Sequence, residues 1–143
     1  MTPVGIETYA NSRRLEKSLR LQNDDLEIDY NLYEAGLSRP KVKAADFHGK
    51  EAYVSQRELP EQAAYLCTFV LEDTTDDMGV VRYPVGHWPL LDPESKEVII
   101  DSHGRRSYTT SVAFGPSLGK NIAMGYLPAD WAKEGDSVLM EYF

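Results

Sequence analysis

Apolar and polar positions along this chain change rhythm once, near residue 60. From about Glu7 to Leu21 helix formers dominate and Leu15 and Leu19 stand four apart. Charge runs from Glu7 early to Arg13, Arg14, Lys17 and Arg20 late, the order that suits a helix dipole. The spacing predicts a helix there, with Glu16 and Arg20 able to pair across one turn. A polar connection over Gln22 to Asp29 leads into Tyr30 to Leu37, where Gly36 marks a turn or a close approach. Arg39 to Lys43 is predicted as a strand with Pro40 at an edge, and Gly49 to Arg57 as a short second helix ended by Pro60.

Beyond that point the pattern is one of short strands between turns. Tyr65 to Glu72, rich in aromatic and β-branched residues, is the strongest candidate. An acidic loop over Asp73 to Gly79 and the segment Val80 to Tyr83 follow. Further strands are predicted around Trp88 to Leu91, Val98 to Ile100, Ser107 to Phe114 and Ile122 to Leu127, then a helical turn over Pro128 to Lys133 and a last strand within Ser137 to Phe143. Glycines and prolines rise from three of each in residues 1–62 to seven and five in residues 63–143. The expected class is α+β: a mixed, partly helical part over 1–62, and a small, mostly antiparallel β-barrel or sandwich over 63–143. The last strand's apolar pattern runs to the final residue, and the helical pattern begins within a few residues of Met1. Both ends read as those of a piece of something longer.

Composition narrows the function classes. The 143 residues carry 15 Lys and Arg against 23 Asp and Glu, a net charge of −8. A nucleic-acid binder needs a phosphate-neutralising face, and the basic residues gathered at Arg13, Arg14, Lys17 and Arg20 are better explained as one helix end. The most apolar stretch, Ala63 to Leu71, is far below the roughly 20 residues a membrane helix requires. The single cysteine, Cys67, excludes a disulfide framework and fits a reducing, cytoplasmic setting.

Candidate chemistry is sparse. The run Gly115 to Asn121 lacks both the spacing and the Ser or Thr of a phosphate loop, so it reads as a strand-connecting turn. In Asp73 to Gly79 the glycine falls one place late for a calcium loop, and Pro84 stands where the closing glutamate belongs. His48, His87 and His103 share no metal-ligand spacing. Cys67, central in the strongest strand, reads as a buried, inert thiol. Asp24-Asp25 and Asp76-Asp77 lie in polar loops and read as solvated acids. No metal site and no catalytic residue is predicted within this chain.

Three motifs in order carry a resemblance. Arg14-Leu15-Glu16-Lys17, followed by Asn31 to Leu37, is similar to the "RLE, then N-P-x-E-x-G-L" pattern of the glycine cleavage T-protein (aminomethyltransferase) family. Asp46-Phe47-His48-Gly49-Lys50-Glu51-Ala52 resembles that family's "D-F-x-G-K-E-A". The run from Gly115 to Pro128 resembles "S-P-T-L-G-K-x-I-A", with Thr109-Thr110-Ser111 where the family has "V-T-S". Departures bear on the donor. Tyr9-Ala10-Asn11 stands where aminomethyltransferases commonly read "A-R-D", and Leu32 replaces a proline. The stretch from Ala10 to Lys17 looks closer to the folate-binding regions of dimethylglycine and sarcosine dehydrogenases.

The resemblance implies a tetrahydrofolate-dependent one-carbon transferase. Residues 1–62 would be the end of a central, ferredoxin-like folate-binding region. Residues 63–143 would be most of a C-terminal β-barrel lacking its last strand. The partners implied are folate and a small amine or aminomethyl donor, with neither nucleic acid nor membrane. The family's catalytic aspartate would lie upstream of this chain, so the chain alone is expected to be inactive. Asn11, Arg14 and Glu16 are the residues placed closest to the ligand pocket. The competing reading of Arg14 and Glu16 is a structural ion pair anchoring the helix. Two rivals stand beside this: the folate region of a flavin-dependent dimethylglycine or sarcosine dehydrogenase, and a non-catalytic barrel module that binds a protein through open strand edges.

Overall fold

The computed structural model describes residues 5–6, 8–39 and 41–141. Five strands form: β1 (Ala64–Val70), β2 (Leu90–Leu91), β3 (Thr109–Gly115), β4 (Lys120–Pro128) and β5 (Leu139–Met140). β4 is central in an antiparallel sheet of order β1-β4-β3, and β2 pairs antiparallel with β5 in a second, two-stranded sheet. Ile122 to Pro128 are all buried, because both faces of β4 are covered. Strand alternation sends Ile122 and Met124 to one face, against Leu15, Leu66 and Ala113. Leu127 goes to the other face, where Leu90, Ile99, Trp131 and Val138 pack. The result is a small, mostly antiparallel domain with few helices, the sheet held between the N-terminal segment and the β2–β5 pair. No closed barrel is seen among the described residues.

The predicted first helix is shorter than its pattern. Thr8–Arg13 is a π-helical turn that continues through Arg14 and Leu15. It then ends in a Schellman motif: Leu19 N–H donates to the Arg14 carbonyl at 2.9 Å and Ser18 N–H to that of Leu15 at 2.9 Å, with Ser18 left-handed at φ 50°. The chain turns away after Leu15, which is 1% exposed, so Leu19 is 58% exposed and does not share its face. Arg20 donates to the carbonyls of Ala35 and Ser18, while Glu16 takes a different partner, described below.

Asn31 to Leu37 folds as one capped helical turn. The Asn31 Oδ1 accepts the backbone N–H groups of Tyr33 and Glu34 at 2.8 and 3.0 Å, and a Glu34 oxygen accepts that of Asn31 at 2.8 Å, a capping box. A second Schellman motif closes it, with Leu37 N–H on the Leu32 carbonyl at 2.8 Å and Gly36 at φ 66°. A Cβ on Gly36 would also stand 2.6 Å from the Arg20 guanidinium. The strand expected over residues 39–43 is absent from the described residues there, and Pro40 lies outside them. A helix, α1, forms at Lys50–Arg57 behind a left-handed Gly49, as its pattern predicts.

The later strands keep their predicted places with altered ends: β1 stops at Val70, β3 starts at Thr109, and β4 is longer than predicted, from Lys120 to Pro128. Val80–Tyr83 and Val98–Ile100 contribute only single bridges, Thr75 to Val81, Leu91 to Val98 and Ile100 to Arg106. Of the predicted last strand, Leu139–Met140 pair with β2, and residues 142–143 lie outside the described residues. No helix among the described residues is long and apolar enough to cross a membrane.

Candidate functional site

Two buried charge clusters tie the N-terminal segment to the sheet. The first forms around Asp25, which is fully buried rather than solvated as its polar loop predicts. One carboxylate oxygen accepts from Arg14 Nη1 and, at 2.9 Å, from the Leu21 N–H. The other accepts from the Thr110 hydroxyl and, at 2.7 Å, from that of Ser111. Arg14 in turn donates from Nη2 to Ser111 Oγ at 2.6 Å and from Nε to the Ala10 carbonyl at 2.9 Å. Its neighbour Asp24 stays half-exposed, 3.9 Å from the same guanidinium.

A β-bulge in β3 makes this cluster possible. Thr109 lies opposite Gly125 and Ser111 opposite Met124, so Thr110 is an extra residue. Regular alternation would send Thr110 and Ser111 to opposite faces. The bulge brings both hydroxyls to one carboxylate, while Thr109 faces the other way and accepts from the Trp88 N–H at 3.1 Å.

The second cluster surrounds Arg105. It grips both Glu34 oxygens and donates from Nε to Asp101 at 2.6 Å. Its guanidinium carbon also stands 4.3 Å from the centre of the Tyr30 ring. Tyr30 stacks on Tyr126, with centroids 3.5 Å apart and planes 4° from parallel. The Tyr126 hydroxyl donates to the Asp25 backbone carbonyl at 2.7 Å. Arg105, Tyr30, Tyr126, Asp25 and Arg14 therefore form one continuous chain of contacts.

Titration follows from these surroundings. Burial raises the Tyr30 hydroxyl to about 12, with Arg105 acting against it. Burial likewise raises Tyr126, helped by the nearby Tyr30 and Asp25. Burial opposes ionisation of Asp101, yet hydrogen bonds from the Arg105 and His103 N–H groups and the Arg105 side chain hold its carboxyl below the usual range. Desolvation also works against the Arg105 cation, and the two carboxylates outweigh it. Burial pushes the Cys67 thiol up to about 11. That matches the inert thiol expected, although Cys67 is half-buried rather than enclosed.

The sequence-selected residues fall along this framework. Asn11 sits half-buried in the turn Thr8–Arg13. Arg14 is buried, its donors directed inward. Glu16 accepts the Ser117 N–H at 2.6 Å, fastening the helix end to the turn between β3 and β4. Arg14 and Glu16 are thus each ion-paired or hydrogen-bonded to a third group rather than to each other. Asp25, Thr110, Ser111, Tyr30, Glu34, Asp101 and Arg105 escaped the reading from sequence. Only the Thr109-Thr110-Ser111 and Asn31-to-Gly36 motifs pointed towards three of them, Thr110, Ser111 and Glu34.

What the arrangement does chemically is hold. Among the described residues no group of three or more His, Cys, Asp or Glu side chains is placed to bind a metal. The three histidines are exposed and apart. Beside the tyrosine stack runs an open groove of about 620 Å³, walled by Leu26, Glu27, Asn31, Leu37 and the two stacked rings.

Comparison with known proteins agrees along the chain. Residues 86–143 match the family described as Glycine cleavage T-protein C-terminal barrel domain. The chain is 31% identical over 137 residues to an aminomethyltransferase of Desulfitobacterium hafniense, covering 95% of this chain and 33% of that protein. It is also 31% identical over 137 residues to the mitochondrial dimethylglycine dehydrogenase of Rattus norvegicus, covering 94% of this chain and 14% of that protein. Among solved structures, the glycine cleavage system aminomethyltransferase T from Bartonella henselae superposes with a TM-score of 0.69 at 27% identity, over 92% of this chain and 33% of that one. The chain thus spans about a third of the length of the aminomethyltransferases it resembles.

Proposed function

The chain belongs to the glycine cleavage T-protein (aminomethyltransferase) family through its residues 86–143, and from that premise we propose that it serves tetrahydrofolate-dependent one-carbon transfer. In this reading residues 1–62 end a ferredoxin-like folate-binding region and residues 63–143 form most of a C-terminal barrel. They act with the other two thirds of the fold that the relatives possess. The donor is a small amine or aminomethyl group, and the setting is cytoplasmic.

The observation that carries this reading is the similarity, over 95% of the chain, to an aminomethyltransferase, and the inward use of Arg14 is consistent with a positioning role in it. A guanidinium bonded to Asp25, Ser111 and the Ala10 carbonyl fixes the turn Thr8–Arg13 against the sheet. Asn11 is then held on a rigid support at the ligand-facing margin. Of the three residues placed near the folate, Asn11 touches the ligand, while Arg14 and Glu16 act by positioning it. Such transfer depends on geometry, so a stiff support is what the chemistry requires of this region. The carboxylate that polarises the donor comes from another part of the fold. The chain alone turns over little or nothing.

Calorimetric titration of tetrahydrofolate into the protein, together with any regions encoded beside it, tests the reading. Binding in the micromolar to millimolar range is expected. Asn11→Ala weakens it. No binding by the complete protein sinks the proposal.

The matching identity to a dimethylglycine dehydrogenase favours a second reading, the folate region of a flavin-dependent dimethylglycine or sarcosine dehydrogenase. A G-x-G-x-x-G dinucleotide motif encoded upstream would select it.

A further inference from the structure

Two apolar surfaces of opposite charge stand at the two ends of β1. At one end, Leu32, Leu37, Val42, Phe47 and Tyr53 line a groove of about 390 Å³ rimmed by Arg39, Lys41 and Lys43. Leu32 is 49% exposed and Leu37 and Phe47 each 40%. Residues 37–47 carry three cations and one carboxylate, in a chain whose net charge is −8. At the other end, the loop after β1 exposes Met78 (78%), Val80, Val81 (67%) and Val85. Glu72, Asp73, Asp76 and Asp77 lead into it; Glu72 is paired with Lys120 and Asp76 with Arg82, so Asp73 and Asp77 give the loop its net negative charge.

The two surfaces cannot meet within one molecule. Gln62, just before β1, is bonded to Asn31 and to the carbonyl of Gln56 in α1, which places the basic groove at that end. Leu71, just after β1, is bonded to the Asn121 carbonyl and opens the acidic loop at the other end. Seven strand residues span about 20 Å between them, well beyond side-chain reach.

We propose that these surfaces pair between copies, the acidic loop of one chain seating on the basic groove of the next in a head-to-tail, salt-sensitive association. The occupant is a second copy because the chain itself carries the complement: apolar against apolar, carboxylates against ammonium and guanidinium groups. The opposite charges supply the attraction that brings the copies together and set orientation and register, and the apolar contact adds to it once they are seated. A contact between two different patches is heterologous, so it extends or closes into a ring rather than stopping at a two-fold dimer.

Sedimentation velocity over a wide concentration series tests this. Mass is expected to rise with concentration at about 0.01 M salt and to fall back towards monomer at about 1 M salt, where screening shrinks the Debye length from about 30 to about 3 Å. Lys41→Glu/Lys43→Glu reverses the groove and Asp73→Lys/Asp77→Lys reverses the loop. Each variant alone loses association, and mixing the two restores it, since the reversed groove then meets the reversed loop. Circular dichroism confirms that both fold. Several results overturn the proposal: a monomer at every concentration, association unchanged in either variant, or no recovery on mixing. A monomer that instead binds an acidic peptide through the groove overturns it too, in favour of a foreign partner.

Discussion

Arg14 and Asp25, 11 residues apart, meet in the protein interior with 9% and 0% of their side chains exposed. Such a pair is unforgiving when halved. Asp25→Ala leaves a buried guanidinium without its counter-charge, and a loss of about 3–5 kcal/mol in urea denaturation is expected. Arg14→Met should cost a similar amount. The double replacement should cost much less than the sum, because the lone buried charge is gone. Strict additivity would show that the two side chains do not depend on each other.

Arg105 is held by shape as well as charge. Arg105→Lys keeps the cation but forfeits the two-pronged grip on Glu34 and the flat contact with Tyr30. A loss of about 1–3 kcal/mol is expected, the range of a charge-assisted hydrogen bond. The near-ultraviolet circular dichroism of the stacked tyrosines should weaken with it. An unchanged spectrum and midpoint would mean that the ring stack stands without its cap.

Acid should loosen the same corner. The folded Asp101 carboxyl titrates below its unfolded value of about 4. Its contribution is therefore complete above that value and is lost as pH falls through the folded one. Denaturant midpoints measured from neutral to strongly acidic pH should decline in that window. Asp101→Asn should be less stable at neutral pH and show a shallower decline. A variant whose profile runs parallel to that of the parent would remove Asp101 as the cause.

Cys67 should resist alkylation. With its thiol raised to about 11 by burial, iodoacetamide should modify it slowly near neutrality and progressively faster only as pH approaches that value. Rapid labelling at neutral pH would contradict this environment.

Gly125 tests the closeness of β3 and β4. A Cβ there would stand 2.5 Å from the Tyr108 carbonyl oxygen and 3.2 Å from the Thr109 Cα, both backbone. Gly125→Ala should cost about 1–3 kcal/mol, the usual toll of overpacking. A neutral outcome in thermal denaturation would show that the bulge can yield.

The sequence carried the fold wherever the deciding forces were local. β1, β3, β4, α1 and the turn at Gly36 follow from strand-forming runs, a helical stretch and a left-handed position, all visible over a few residues. The buried centre was hidden because its partners are remote: Asp25 meets Ser111 across 86 positions and Thr110 across 85. Two adjacent acids in a polar loop look hydrated until a guanidinium and two hydroxyls arrive from elsewhere. The first helix was overdrawn for a related reason. Its stop at Ser18 uses a left-handed serine rather than a glycine, so no residue announced it. The motif from Asn31 to Gly36 was readable as a pattern, and the capping box and Schellman closure now explain its spacing.

The extra residue at Thr110 reaches further than two hydroxyls. It acts as a phase marker for Thr109 and the residues that lead into β3. Deleting it would restore regular alternation and turn Ser107 to Thr109 inside out relative to Ser111, swapping which face of the sheet each presents. Gene variants of this length class should therefore tolerate changes of residue type at position 110 far better than a change in the number of residues there.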